Sequence, residues 1–406
     1  MNLAGETEKR AVASRLVSEP YRVQGGVVVV HNHWIHYKDL LFRDMQARVD
    51  GLRVILTART STARLGAPDL SGLPYSCETL SQKSYEDANK LWCGVLLFAR
   101  LCALRPAVVI VSGWYDAVSW TAWGWALLWR RPAVLWAESN EFDHRRWWCL
   151  EALKRIYVRG FAQAHVYGTS NANYLCKLGM DRWRVLTKRA VLDVEHFRRT
   201  AAGRGEGGKR VFLFVGRLSP EKNLGRLIRA FGIAQREKHG EALELWIAGY
   251  GPMRSELEVL AIDPSLDGCV KFLGPIPQER LPGVYSRADV FILPSISETW
   301  GLVVNEAMCC ELPAVVSSKC GCAVDLVNEE TGWVVDPFDE QSIAEGILKS
   351  ARTPRERLTE MGRAARQIAG EYSPHNCTRL VEKGLRQLIS DRQDGRASSP
   401  SDGCPL

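Results

Sequence analysis

An alternation running along most of the chain constrains its fold more than any single motif. Short apolar, β-branched runs recur, namely "GGVVVVHNHW", "LRVILTA", "AVVIVSG", "AVLWAES", "AHVYGTS" and "RVLT". Runs of this kind fill parallel sheets that are covered on both faces. Longer segments of helical character, such as "HYKDLLFRDMQARV" and "CLEALKRIYVRGFAQ", lie between them. Strands alternating with helices predict a doubly wound α/β domain, expected over residues 22–197 after a flexible N-terminus at 1–21. The stretch "RRTAAGRGEGGKR" (198–210), rich in glycine and charge, reads as a linker. A second alternation follows over 211–372, with "VFLFVGR", "LELWIAG", "VKFLG", "DVFILPS", "PAVVSS" and "GWVVD" as its strands. A last helix is expected at 373–390, and the composition of the tail 391–406 predicts disorder. The fold class is therefore α/β, with two Rossmann-like halves, a cleft between them, and ligands outside the carboxyl ends of the strands.

Cysteine and tryptophan narrow the setting. The 12 cysteines are scattered through apolar segments, and Cys320-Gly-Cys322 lacks the second pair that a metal site would need. Buried free thiols in a reducing compartment are the favoured reading. No apolar run at the N-terminus has the length of a signal peptide. "LWCGVLLFAR" and "AVSWTAWGWALLW" fall short of the ~18 residues that span a bilayer. A cytoplasmic protein is expected. Residues 1–200 carry 28 Lys+Arg against 18 Asp+Glu, and the remainder 25 against 28, so the net +7 hides a basic first half. That half also holds 11 of the 14 tryptophans. It suits peripheral contact with an anionic membrane at the inner face, or an anionic substrate. A solvated surface over a tryptophan-rich core accounts for the composition equally well. No nucleic-acid partner is expected.

Two stretches carry chemistry. In "FVGRLSPEKNLGRLI" a strand ends at Gly216, and Arg217 and Lys222 follow before a helix starting near Asn223 or Leu224. An arginine fork, a lysine point charge and a helix N-terminus suit a diphosphate; a solvated loop is the plainer reading. Neither a Walker loop nor a Gly-x-Gly-x-x-Gly fingerprint is present. In "PSISETWGLVVNEAMCCELPAVVSS" (294–318) Gly301 interrupts what could otherwise be one helix. A helix starting near Leu302 leaves Glu298 on the preceding loop and Glu306 about one turn inside. Cations neutralise phosphates, and carboxylates accept from sugar hydroxyls. A nucleotide diphosphate carrying a ribose and a transferable sugar satisfies both stretches.

These residues carry a specific resemblance. "FVGRLSPEKNLGRLIRAF", "LELWIAGYGPMRSELE", the stretch from "VKFLGPIPQERL" to "PAVVSS" and "ETGWVVDP" resemble, in order and spacing, the retaining glycosyltransferases of family 4, which have the GT-B architecture. The resemblance covers most of 210–350, while the first half is similar only in strand pattern. It implies that Arg217 and Lys222, next to Gly216, bind the donor diphosphate. It also implies that Glu298 contacts the donor sugar and Glu306 the ribose. Backbone N–H groups from Trp300 through Gly301 and Leu302 to Val303 would meet phosphate and sugar oxygens, and the loop from Gly274 to Ile276 would read the base. The implied activity is metal-independent hexosyl transfer, with no cofactor, from a UDP- or GDP-sugar to a hydroxyl of a glycan or lipid-linked saccharide. A GT-B epimerase and a non-catalytic nucleotide-sugar binder remain as alternatives.

The chain departs from the family's pattern in the first half. Gly25 and Gly26 precede "VVVV", where many relatives have a glycine-rich loop just after the first strand. Glu138 stands where relatives often have a histidine, with Asp143 and His144 shortly after. Glu138 is expected either to face the sugar or to hold Arg145 and Arg146. His31, His33 and His36 are weighed as packing, as acceptor lining along the loop to Lys38, or as metal ligands, with no carboxylate or cysteine to complete a metal set.

Overall fold

The computed structural model describes residues 21–62, 70–142, 147–198, 208–237, 242–266 and 268–393. The expected flexible N-terminus, most of the linker, the tail beyond 393 and the group Asp143 to Arg146 lie outside the described residues. The chain divides into two compact units. One comprises the described residues to 136, with 154–164 and the chain from 377 on; the other comprises 137–153 and 165–376.

The first sheet contains β1 (Tyr21–His33), β2 (Val49–Ala58), β3 (Ser76–Ser81), β4 (Val108–Ser112), β5 (Ala133–Ala137), β6 (Gln163–Val166) and β7 (Val185–Leu186). Its order is β3-β2-β1-β4-β5-β6-β7, and the paired strands β1 to β5 run parallel. Val27 to Val30 are at most 2% exposed, because helices cover both faces of a doubly wound sheet. Around this sheet lie α1 (His36–Arg48), α2 (Lys90–Leu104), α3 (Ala117–Leu128), α4 (Trp148–Arg159) and α5 (Thr169–Lys177). The polar strand β3 went unread in the sequence. It is an edge strand whose residues are only half-buried or exposed, so it lacks the apolar run that marks its neighbours.

The second sheet contains β8 (Lys209–Val215), β9 (Ala242–Ala248), β10 (Val270–Gly274), β11 (Val290–Leu293), β12 (Ala314–Ser317) and β13 (Gly332–Val335). Its order is β10-β9-β8-β11-β12-β13, parallel throughout. Numbered from β8 this is 3-2-1-4-5-6, which reverses direction between β8 and β11. In open α/β sheets ligands bind at such a switch point, which here falls between the loops that follow β8 and β11. Helices α6 (Leu224–Glu237) and α7 (Leu302–Cys309) start just beyond those loops, and α8 (Pro374–Gln393) closes the described chain. Both doubly wound, Rossmann-like halves expected from the sequence are present.

Candidate active site

The loop after β8 is fixed from both sides. Gly216 N–H donates to Ala248 O at 3.0 Å and Leu218 N–H to Tyr250 O at 2.8 Å, tying it to the loop after β9. A single 3-10 turn, Pro220–Lys222, follows, so α6 starts at Leu224 with one more turn before it than the sequence suggests. Asn223 then takes a left-handed backbone, φ 61°, which asparagine tolerates better than most residues. Its amide donates to Pro294 O at 3.0 Å and Pro337 O at 2.7 Å, and Ile296 N–H donates to Glu221 O at 2.9 Å. The loops after β8, β11 and β13 are thereby pinned together, and Lys222 is carried to Glu298.

Lys222 and Glu298 form a close ion pair, each side chain 16% exposed. Arg217 is exposed on the same loop. Between the two cations lies Glu221. Burial raises its carboxyl, but the Ser219 hydroxyl, its own backbone, Lys222 and Arg217 together bring it below the usual range.

Glu298 sits on a loop held from behind. Gly321 N–H donates to Glu298 O at 3.0 Å and Cys322 N–H to Trp300 O at 3.0 Å, while the Asn140 amide reaches Glu298 O at 2.9 Å. A Cβ on Gly321 would lie 2.0 Å from Thr299 O, so only glycine permits this approach. The Trp300 indole is buried and donates to Asn305 at 2.8 Å. Gly301, at φ 101°, turns the chain into α7. The helix begins at Leu302, with Glu298 before it and Glu306 inside it, as the sequence predicts. Leu302 and Val303 are first-turn residues, whose N–H groups have no acceptor inside the helix. Glu306 accepts from the Tyr285 hydroxyl at 2.8 Å. Burial pushes its carboxyl up to about 7, against the pull of that hydrogen bond.

The other predicted residues have partners outside the Lys222–Glu298 pair. Gly274 ends β10, two strands from β8 in the sheet, with its carbonyl accepting from Gly249 N–H at 2.8 Å, and Ile276 packs against the core. Glu138 lies 3.5 Å from the guanidinium of Arg189, a buried arginine that also donates to His165 O at 3.0 Å. His31 meets Phe42 edge-on and His33 lies against Tyr85, both in aromatic packing. Asn140, Asn223, Arg189, Tyr285 and Gly321 were not singled out in the sequence. Asn140, two residues past Glu138 in "AESN", and Asn223, in the Lys-Asn step before a helix, carried a local signal. The others act on partners far along the chain.

Residues 199–368 match the family described as glycosyl transferases group 1. The match takes in the stretch that carries Arg217, Lys222, Glu298 and Glu306. The chain is 29% identical over 182 residues to the amylovoran biosynthesis glycosyltransferase AmsK of Erwinia amylovora, covering 43% of this chain and 44% of that protein. It is 32% identical over 167 residues to the O-antigen chain mannosyltransferase B of Escherichia coli, covering 41% and 43%. The chain thus spans less than half of the length of either relative. Anabaena HepE, solved in complex with UDP and glucose, aligns over 89% of this chain and 99% of its own, with a TM-score of 0.67 at 15% identity. What the two share is the fold.

Proposed function

We propose that this protein is a retaining glycosyltransferase that moves a hexose from a nucleotide diphosphate sugar to a hydroxyl of a glycan or lipid-linked saccharide, without a metal. The observation that carries the reading is the Lys222–Glu298 pair at the β8/β11 switch point, beside the N-terminus of α7. In this reading Lys222 leaves Glu298 for the donor diphosphate, with Arg217 and the N–H groups of Leu302 and Val303 as further donors. Glu298, released, accepts from a hydroxyl of the donor sugar. Glu306 accepts from the ribose, the loop from Gly274 to Ile276 meets the base, and Glu138 faces the sugar from its place beside Arg189.

The bond between the anomeric carbon and the diphosphate oxygen breaks with its electron pair on the diphosphate. The acceptor oxygen forms the new bond on the same face, and its proton is released. Fixed cations and helix N–H groups stabilise the charge that develops on the leaving group, worth on the order of 2–4 kcal/mol for one well-placed donor. Support for a glycan acceptor comes from the relatives named for amylovoran and O-antigen, and support for a uridine nucleotide from HepE. The eleven cysteines among the described residues are free thiols, which fits a cytoplasmic site, with peripheral contact at the inner membrane face.

Incubation with a panel of UDP- and GDP-sugars, alone and with glycan acceptors, tests the proposal. The expected result is release of nucleoside diphosphate, enhanced by an acceptor. Inversion of the free sugar nucleotide would instead make the protein an epimerase, and binding without turnover would make it a carrier of nucleotide sugars.

A further inference from the structure

Helix α2 breaks the rule that a helix on the outside of a domain has a polar face. Its inner side is buried through Cys93, Leu97 and Leu101, as a covering helix requires. Its outer side is apolar as well: Leu91 is 75% exposed, Trp92 60% and Val95 58%. A helix apolar all round ordinarily belongs in a protein interior or in lipid. Helix α3 lies alongside, with Phe98 meeting Trp129 edge-on at 5.6 Å, and it ends in the exposed Leu127, Leu128 and Trp129. Fifteen residues of α2 rise about 22 Å, short of a hydrocarbon core of ~30 Å. Among the described residues no helix is long and apolar enough to cross a membrane.

The charge carried by the two helices and the chain between them is one-sided. Neither α2 nor α3 contains an acid, and residues 88–137 hold only Asp116, which caps α3 and accepts from the Tyr85 hydroxyl. The same stretch holds five cations. Arg100 is engaged with Glu78, whereas Arg105 and Arg130 are exposed at the carboxyl ends of α2 and α3, with Arg131 beside them. A second copy of this chain laid face to face would oppose like charges. An anionic bilayer complements the arginines, and its interface is where tryptophan rings and leucine side chains are both accommodated.

We propose that the α2–α3 face docks on an anionic lipid surface, with Trp92, Val95 and Leu128 entering the headgroup–acyl boundary and Arg105 and Arg130 meeting lipid phosphates. The assignment is independent of the catalytic reading, since it rests on a different set of residues.

Flotation of the full chain with phosphatidylcholine vesicles, with and without phosphatidylglycerol, tests it. The wild type should float with the anionic vesicles at low salt and lose binding at high salt. Trp92→Glu with Val95→Glu should lower the partition coefficient by about tenfold or more. Arg105→Gln with Arg130→Gln should lower it by about fivefold per arginine on anionic vesicles only. Both variants should keep the wild-type unfolding transition and the wild-type rate on a soluble donor. A wild type that stays in solution at low salt overturns the proposal, as does a Trp92→Glu/Val95→Glu protein that floats like the wild type. A wild-type dimer that the same double variant converts to monomer, with no vesicle binding, would make this face an interface between copies and would also overturn it.

Discussion

Lys222 and Glu298 satisfy each other in the structure, so a ligand that takes the lysine frees the glutamate. The two variants should therefore differ in kind. Lys222→Ala is expected to weaken binding of the nucleoside diphosphate itself and to lower transfer by about a hundredfold or more. Glu298→Gln should lower transfer comparably while leaving diphosphate affinity near that of the wild type, as read by calorimetry. Equal loss of diphosphate affinity in both would refute the sugar-side role of Glu298. Glu306 supplies a pH test. Its carboxyl is raised from 4.5 to about 7 by burial, so the folded state holds this proton more firmly than the unfolded chain. Stability from this group is complete below about pH 4.5 and is lost as pH rises through about 7. Thermal melts should show Glu306→Gln gaining on the wild type between those values; parallel curves would remove the linkage. Arg217, Lys222 and Glu298 were legible because each follows a readable strand end closely, and Glu306 because Gly301 marks where its helix begins. Tyr285, the partner of Glu306, was not legible, because a contact across 21 residues leaves no periodic trace.

Elements hold those side chains in place, and the segment at Gly321 leaves no room for change. Gly321→Ala drives a methyl into the Thr299 carbonyl oxygen, which is backbone and cannot swing aside. The expected cost is about 1–3 kcal/mol of stability, with transfer reduced further because the Glu298 loop is displaced. Gly283→Ala is the control, since an added Cβ there meets nothing within 4 Å. Denaturant titration and donor turnover on the two variants check this, and equal behaviour of the pair would refute it. The start of α7 could be read because Gly301 ends one pattern where an apolar one begins. The 3-10 turn before α6 and the strand β3 could not. The first depends on Asn223 adopting a left-handed backbone between two carbonyls, and the second on an edge position that tolerates polar residues.

At the scale of the molecule, acid should act through β6. Burial, with Arg189 nearby, holds the His165 imidazole down at about 3. A group depressed below its unfolded value contributes stability above about pH 6.5 that is lost as pH falls toward 3. His165→Asn should flatten this part of the thermal-stability profile, and an unchanged acid limb would refute the assignment. The two parallel sheets were legible from alternation alone, since buried strands advertise themselves. The membership of the last helix was not. From residue 377 on it belongs with the first unit, where Cys377, Val381 and Leu385 are fully buried. Genes that trade their second halves by one crossover would therefore import a foreign plug into the first core. Viable chimeras among such proteins should need two breakpoints, the later one just ahead of that terminal helix.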